Sequence, residues 1–298
     1  MSGVVSNSSE LSYQLGTNAL ARAARFTNPL KAMEFLARSH GPGDNGFYQF
    51  ANRYRPEWAK NCWLSGARGL SATCLGYSCT NHVGYEYMVT MISPRHWIGA
   101  NHLASFTPFW HGTDQALFLG TNGVRYWRHS LAVTNVAGTD ISVGILDSDL
   151  PPAVGFLAVL PGDYTNWLSS TSHVQGIGVT QDYLVFGEGL LLSGRGAVLW
   201  SGAWTPSPGL GTNWSSCAIP AAHCYLRAGD SSDPVRLLIG NQLVLVSGAT
   251  SPGGGPDYAH YAGQINSAMH ALSVKNGLAT DYQLRVMSLT NWARLPGH

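Results

Sequence analysis

Short hydrophobic segments recur along the chain from about residue 87 onward. They are rich in β-branched and aromatic residues, and Gly, Pro, Asn, Asp and Ser separate them, which is the pattern of strands joined by turns. Because no helical segments alternate with them, the pattern predicts an all-β chain forming an antiparallel sandwich or barrel. The predicted strands are Tyr87–Ile92, Gln115–Leu119, Val124–Trp127, Ile141–Leu146, Phe156–Leu160, Val174–Val179, Tyr183–Phe186, Ala197–Trp200, Val235–Ile239 and Leu243–Val246.

Two segments outside this pattern have apolar residues at helical spacing. In residues 10–40, Ser9 is suited to cap the first helix, and Pro29 is expected to split the segment in two. Ile265–Leu272 predicts one late helix. The N-terminal helices are open to three interpretations, namely an inhibitory pro-segment, a packing support for the strands, or an oligomer contact.

Composition narrows the classes of protein that this chain can belong to. Charged residues make up 11 % of the 298 residues, against an average of about 25 %, and apolar residues make up 45 %, so the chain is built to fold. The net charge is +1 with no basic run, which argues against a nucleic-acid partner. No apolar stretch has the length of a membrane span, so we expect no membrane partner. No secretion signal is visible, yet low charge with abundant Gly and Trp favours a secreted or periplasmic protein.

Five cysteines leave two interpretations open. Cys74 with Cys79 and Cys217 with Cys224 would close short loops as disulfides and leave Cys62 alone, or all five are free thiols. Neither the cysteine spacing nor the scattered histidines match a zinc site, and no metalloprotease or phosphate-loop motif occurs. We therefore expect no metal and no cofactor.

Three segments carry the residues that an acyl-transfer site needs. Residues 92–102 end in a small-residue turn with His102, residues 138–146 place Asp140 before an apolar strand, and residues 228–234 form a turn with Ser231 at its apex. A serine hydroxyl needs a histidine as general base, and the imidazole needs a carboxylate that fixes its tautomer. Gly229 lets the backbone turn so that N–H groups converge on a developing oxyanion. His, Asp, Ser is one of three known orders for such a triad.

These segments resemble the chymotrypsin/trypsin-like serine peptidases. Residues 92–102 are similar to that family's strand and histidine turn, residues 138–146 to its Asp-Ile-Ala-Leu strand, and residues 229–234 to its Gly-Asp-Ser-Gly-Gly-Pro signature. Residues 243–247 resemble the next core strand, and residues 255–258 followed by the late helix resemble the closing turn and terminal helix. The resemblance is to a divergent member of the family, of bacterial type.

The resemblance implies a role for each matching residue. His102 is the general base and acid, Asp140 its orienting carboxylate and Ser231 the nucleophile, with Asp147 and Asp149 as rival carboxylates that follow the strand instead of preceding it. The amides of Gly229 and Ser231 form the oxyanion hole. Asp230 and Ser247 are supporting residues, Asp230 pairing inside the protein with Arg227 or Arg236. Tyr225 either takes the position at the base of the specificity pocket, where it disfavours cleavage after basic residues, or fills the core of the barrel.

The family fold consists of two antiparallel six-stranded β-barrels with the triad in the cleft between them. It divides the chain into an N-terminal helical extension and linker (1–62), a first barrel with His102 and Asp140 (63–150), a second barrel and terminal helix with Ser231 (151–272), and a C-terminal extension (273–298). The joint between the barrels falls near residues 150–152.

Several residues depart from the family pattern. Asn101 replaces the usual alanine before the histidine, and no cysteine follows His102, so the disulfide that braces this turn is missing. Ser232 and Asp233 replace two glycines after the nucleophile, and the Asp233 carboxylate is expected to crowd the site.

The expected function is therefore a serine endopeptidase that acts on peptides or proteins through an acyl-enzyme. The departures keep open a catalytically inactive binding protein on the same fold. A GDS-type esterase is a weaker alternative, in which Asp257 and His260 would imitate the closing D-x-x-H block.

Overall fold

The chain folds mainly into β-strands, as the sequence pattern predicts. A computed structural model describes residues 64, 66–74, 76–77, 88–103, 115–168, 173–180, 196–203, 231–250, 254–278 and 281–295, together with positions 11, 14, 15, 18, 21 and 22 near the N-terminus. Within these residues the strands form two sheets, and one α-helix of several turns follows them.

The first sheet has six antiparallel strands in the order β1-β4-β5-β6-β3-β2. A bridge between Thr73 and Thr90, and the N–H of Cys74 donating to the carbonyl of Val89, connect the segment before β1 with β2. These contacts bring the two ends of the sheet together, so it curls like a barrel. Its strands are β1 (Gly76–Tyr77), β2 (Thr90–Met91), β3 (His96–Ala100), β4 (Gln115–Leu119), β5 (Arg125–Val136) and β6 (Ile141–Leu146).

The second sheet has five strands among the described residues, in the order β7-β11-β10-β8-β9. All its pairs are antiparallel except β7 with β11. A two-residue turn at Gly240 and Asn241 joins β10 to β11, and Gly240 has the positive φ (59°) that such hairpin turns need. The strands are β7 (Ala158–Val159), β8 (His173–Thr180), β9 (Gly196–Ala203), β10 (Pro234–Ile239) and β11 (Gln242–Gly248).

The predicted strands and the observed ones agree in place more closely than in length. The strand predicted at Val124–Trp127 continues to Val136, because its far half pairs with β6. The one predicted at Phe156–Leu160 is only Ala158–Val159. The prediction at Tyr183–Phe186 and most of the helical segment 10–40 lie outside the described residues.

The helix α1 (Ala262–Lys275) extends the predicted helix at both ends and packs on the first sheet. Its buried side chains Ile265, Met269 and Leu272 belong to the same hydrophobic cluster as β3, β4 and β6. The chain therefore returns from the second sheet to cover the first, and this helix joins the two halves of the molecule.

The chain termini pack on a second hydrophobic cluster, under the second sheet. Leu11 and Leu15, both helical, are buried there together with Trp167 and Leu289. The indole N–H of Trp167 donates to the carbonyl of Trp292 at 3.0 Å. Which of the three roles the N-terminal segment has stays a prediction.

Trp97 fits against a position in the adjacent strand that has no side chain. Trp97 of β3 pairs with Gly144 of β6, and a Cβ added at Gly144 would lie 2.0 Å from the indole ring. The indole is fully buried, and its N–H donates to the hydroxyl of Ser130. Glycine at 144 is therefore a packing requirement of the first sheet.

We predict that Gly144→Ala lowers the free energy of unfolding by about 1–3 kcal/mol, because the indole must move within a close-packed core. Gly263→Ala is the matched control, since a Cβ there meets no atom within 4 Å and alanine favours the helix by up to ~1 kcal/mol. Urea denaturation of both variants measures the difference. Equal stabilities would show that the Trp97 packing is not tight.

His96 is a fully buried histidine between β3 and α1. Its Nδ1 lies 2.9 Å from the hydroxyl of Ser93, and its Nε2 lies 3.2 Å from the hydroxyl of Ser273 on the helix. Burial, with a smaller contribution from the charge of Arg95, lowers the pKa of His96 to about 4. Between about pH 4 and pH 6.5, the ring of His96 is therefore neutral in the folded protein and protonated in the unfolded chain.

We predict that the protein loses stability as the pH falls from about 6.5 to about 4. In this pH range His96 is protonated in the unfolded state and neutral in the folded state. Its contribution to the change in the free energy of unfolding is therefore at most ~1.4 kcal/mol per pH unit. His96→Gln keeps polar groups for both serines and should flatten this slope, whereas His270→Gln, at an exposed position of α1, should leave it. The check is the free energy of unfolding measured across this pH range; a slope unchanged in His96→Gln would contradict the assignment.

Candidate active site

The strand register brings His102 and Asp140 together. Ala100 at the end of β3 pairs with Ile141 at the start of β6. His102 lies in the 3₁₀ turn Asn101–Leu103 directly after β3, and Asp140 directly precedes β6, so both leave the sheet at the same edge. Ser231 lies just before β10 of the second sheet.

Three side chains form a continuous hydrogen-bonded series at this edge. The Nδ1 of His102 lies 2.6 Å from Oδ2 of Asp140, and its Nε2 lies 2.9 Å from Oγ of Ser231. The side chains of His102 and Asp140 are 41 % and 32 % exposed, so the series opens to solvent. With the Nδ1 proton donated to the carboxylate, Nε2 is left as the acceptor for the serine hydroxyl.

Three successive backbone amides hold the histidine turn in place. The N–H of Ala100 donates to Oγ of Ser232 (2.6 Å), that of Asn101 to the carbonyl of Asp140 (3.2 Å), and that of His102 to Oδ1 of Asp140 (2.7 Å). The side chain of Asn101 accepts a hydrogen bond from the hydroxyl of Ser142. These bonds brace the turn where the resembling family uses a disulfide.

Ser232 adopts a backbone conformation that usually requires glycine. Its φ is 72°, and it is the one non-glycine residue with positive φ among the described residues. Its N–H donates to the carbonyl of Ala249, and its side chain, only 2 % exposed, accepts the bond from Ala100. Ser232 thus links the turn after Ser231 to the turn before His102. Sequence reasoning flagged this residue only as a departure.

Asp233, which was expected to crowd the site, is buried. It is 1 % exposed, and its backbone carbonyl accepts the N–H of Ala249. Ser231, two residues earlier, remains partly accessible.

The rival carboxylates lie elsewhere. Asp147 is 4.0 Å from the guanidinium of Arg128, and Asp149 forms an ion pair with Arg95 at 3.8 Å. The hydroxyl of Tyr282 also donates to Asp149. Of the three carboxylates considered, the structure places Asp140 against the histidine.

Tyr258 is a buried tyrosine that senses the charge of Asp140. It is 1 % exposed, and burial, followed by the charge of Asp140, raises the pKa of its hydroxyl well above the usual value. The hydroxyl of Ser247 donates to the carbonyl of Gly248 at 3.1 Å, and its role as a supporting residue stays a prediction.

The second Asp–His pair of the sequence has a different environment. The hydroxyl of Tyr164 donates to Oδ2 of Asp257 (2.7 Å), and Oδ1 accepts the N–H of Ala259. Burial raises the pKa of Asp257. His260 is exposed, whereas the hydroxyl of Ser231 is bonded to His102.

Several predicted site residues lie outside the described part of the chain, and their roles stay predictions. They are Gly229, Asp230 and Tyr225, as well as Arg227, Cys62, Cys79, Cys217 and Cys224. Cys74 is buried, and its Sγ accepts the N–H of Val89. Arg236, a proposed partner of Asp230, is fully buried.

The described residues contain no cluster of His, Cys, Asp and Glu side chains that would bind a metal ion. None of the helices in the described part of the chain is long and apolar enough to cross a membrane. No protein-family model matches the sequence, and no curated protein shows significant similarity to it.

We predict that Ser232→Gly is more stable than Ser232→Ala by about 1–2 kcal/mol. Both changes remove the acceptor for the buried N–H of Ala100, but only glycine also removes the cost of a left-handed backbone. Amide hydrogen exchange should quicken at Ala100 in both variants. Equal unfolding free energies would mean that the backbone at 232 is not strained.

Proposed function

We propose that this protein is a serine hydrolase, specifically an endopeptidase that forms an acyl-enzyme on Ser231. The observation that carries the proposal is the unbroken hydrogen-bonded series from Oγ of Ser231 through His102 to Asp140. Each distance is within hydrogen-bond reach, which is the geometric requirement for an activated nucleophile.

The chemistry follows from the order of the groups. Nε2 of His102 takes the hydroxyl proton as Oγ of Ser231 attacks the carbonyl carbon, and Asp140 stabilises the imidazolium that forms. His102 then returns the proton to the leaving amine. A water molecule attacks the acyl-enzyme by the same route and restores the serine. In this proposal, the amides of Gly229 and Ser231 bind the oxyanion.

We also propose that the second sheet belongs to a second barrel, so that the site lies between two barrels of the chymotrypsin type. The curled first sheet carrying His102 and Asp140, and Ser231 preceding a strand of the second sheet, support this arrangement. Tyr225 at the base of a specificity pocket would make an apolar or aromatic contact with substrate instead of pairing with a basic side chain.

A non-catalytic binding protein is the second candidate. Ser232 and Asp233 favour it, because they stand where the peptidases that the chain resembles have two glycines after the nucleophile. The esterase alternative is disfavoured, since Asp257 is bonded to Tyr164 and Ser231 to His102.

We predict that a fluorophosphonate probe labels the native protein once, on Ser231. Ser231→Ala should take no label, and His102→Ala should react at least ~100-fold more slowly because the general base is lost. In-gel fluorescence and the mass of the labelled peptide provide the measurement.

His260→Ala is the matched control, because it removes an exposed histidine that the esterase alternative requires. It should label at the native rate. A native protein that stays unlabelled beside a reactive control peptidase would favour the binding protein, and a loss of labelling confined to His260→Ala would favour the esterase.

A further inference from the structure

A cavity of about 360 Å³ lies where the two sheets meet, separate from the His102 site. Its walls come from the turn before β3 (Pro94), the joint between the sheets (residues 150–156), the start of β11 and the C-terminal segment. None of the residues bonded in the His102–Asp140–Ser231 series lines it. The volume falls at the small end of the range for ligand pockets, roughly 300–1,000 Å³.

The cavity has an apolar floor and a polar rim. Three apolar residues that are at most 5 % exposed form the floor, namely Leu150, Val154 and Leu243. The floor of the cavity is therefore a surface of the hydrophobic core. Arg68 and Arg285 line the cavity and are exposed. This division of polarity suits a ligand with an apolar body and a charged end.

The rim is positively charged. Among the described residues, no acidic side chain lines the cavity, and neither Arg68 nor Arg285 forms an ion pair. The guanidinium of Arg285 lies 4.4 Å from the ring centre of Phe156, which also lines the cavity. Stacking on a ring restrains the side chain and leaves its N–H donors available. Arginine pairs best with carboxylate and phosphate groups.

We propose that this cavity binds the C-terminal residue of a peptide, with its apolar side chain on the floor and its free carboxylate paired with Arg68 and Arg285. Gln242 on the rim supplies both an amide donor and an amide acceptor, which suit the last peptide group of such a ligand. A fatty acid has no group that would use this amide. The small volume accommodates one side chain better than a long alkyl chain. The inference does not rest on the proposed hydrolase activity.

The test is isothermal titration of the full chain carrying Ser231→Ala, a change that keeps a peptide intact. The probes are acetyl-Gly-Gly-Leu as the free acid, the same peptide as its C-terminal amide, and octanoate. We expect the acid to bind about tenfold or more tightly than the amide. Arg68→Gln and Arg285→Gln should each weaken binding of the acid several-fold.

Arg294→Gln is the matched control, because Arg294 is also exposed and stacked on an aromatic ring, Trp167, but does not line the cavity. It should leave the affinity unchanged. Equal binding of acid and amide, tighter binding of octanoate, no binding of the acid at millimolar concentration, or an equal loss in Arg294→Gln would each overturn the proposal. Fluorophosphonate labelling of Ser231 tests the proposed hydrolase activity and does not depend on peptide binding at this cavity. Each of the two proposals can therefore be contradicted without the other.

Discussion

The carboxylate of Asp140 is the constraint on which the candidate site depends. One oxygen accepts the backbone N–H of His102 and the other accepts the imidazole Nδ1–H, so a single side chain fixes both ends of the histidine. The pairing of Ala100 with Ile141 sets the distance between the two residues before any side chain is considered. Because the ring is held in this way, the direction of Nε2 is fixed, and Nε2 lies within hydrogen-bond distance of the hydroxyl of Ser231.

The two hydrogen bonds of Asp140 orient His102 more than they stabilise the fold. Both side chains are about a third or more exposed, and exposed ion pairs contribute only about 0–1 kcal/mol. The stability of the site comes instead from the sheet beneath it, from the α1 helix packed on that sheet, and from buried contacts such as Trp97 against Gly144. The site is therefore a set of exposed polar groups on a rigid support, which is what a preorganised reaction requires.

Sequence reasoning located most strands, because short apolar segments and the turn residues between them can be recognised from neighbouring positions in the chain. It also singled out the three residues that the structure brings together, since their order along the chain follows a known arrangement. It did not find the bond between Ser232 and Ala100, because that bond joins positions 132 residues apart and requires an unusual backbone angle. The packing of the C-terminal segment was missed for the same reason. Leu289 and Trp292 pack in a cluster with residues of the second sheet that are distant in the sequence.

Two residues that differ from the pattern of the peptidases the chain resembles have a common physical interpretation. Each of them uses its side chain to bond a neighbouring strand, Asn101 to Ser142 of β6 and Ser232 to Ala100 of β3. Together they supply polar bracing in a turn that has no cysteine next to His102. The strained angle at Ser232 is tolerated because this bracing fixes the turn from both sides.

Fixation of the His102 imidazole by Asp140 through a short Nδ1–H bond can be tested by proton NMR at low temperature. A proton bonded between a ring nitrogen and a carboxylate resonates far downfield of ordinary amide protons. We predict one such resonance that is coupled to ¹⁵N of His102, persists in Asp147→Asn and disappears in Asp140→Asn. The same resonance retained in Asp140→Asn, or absent from a folded native protein, would contradict the claim.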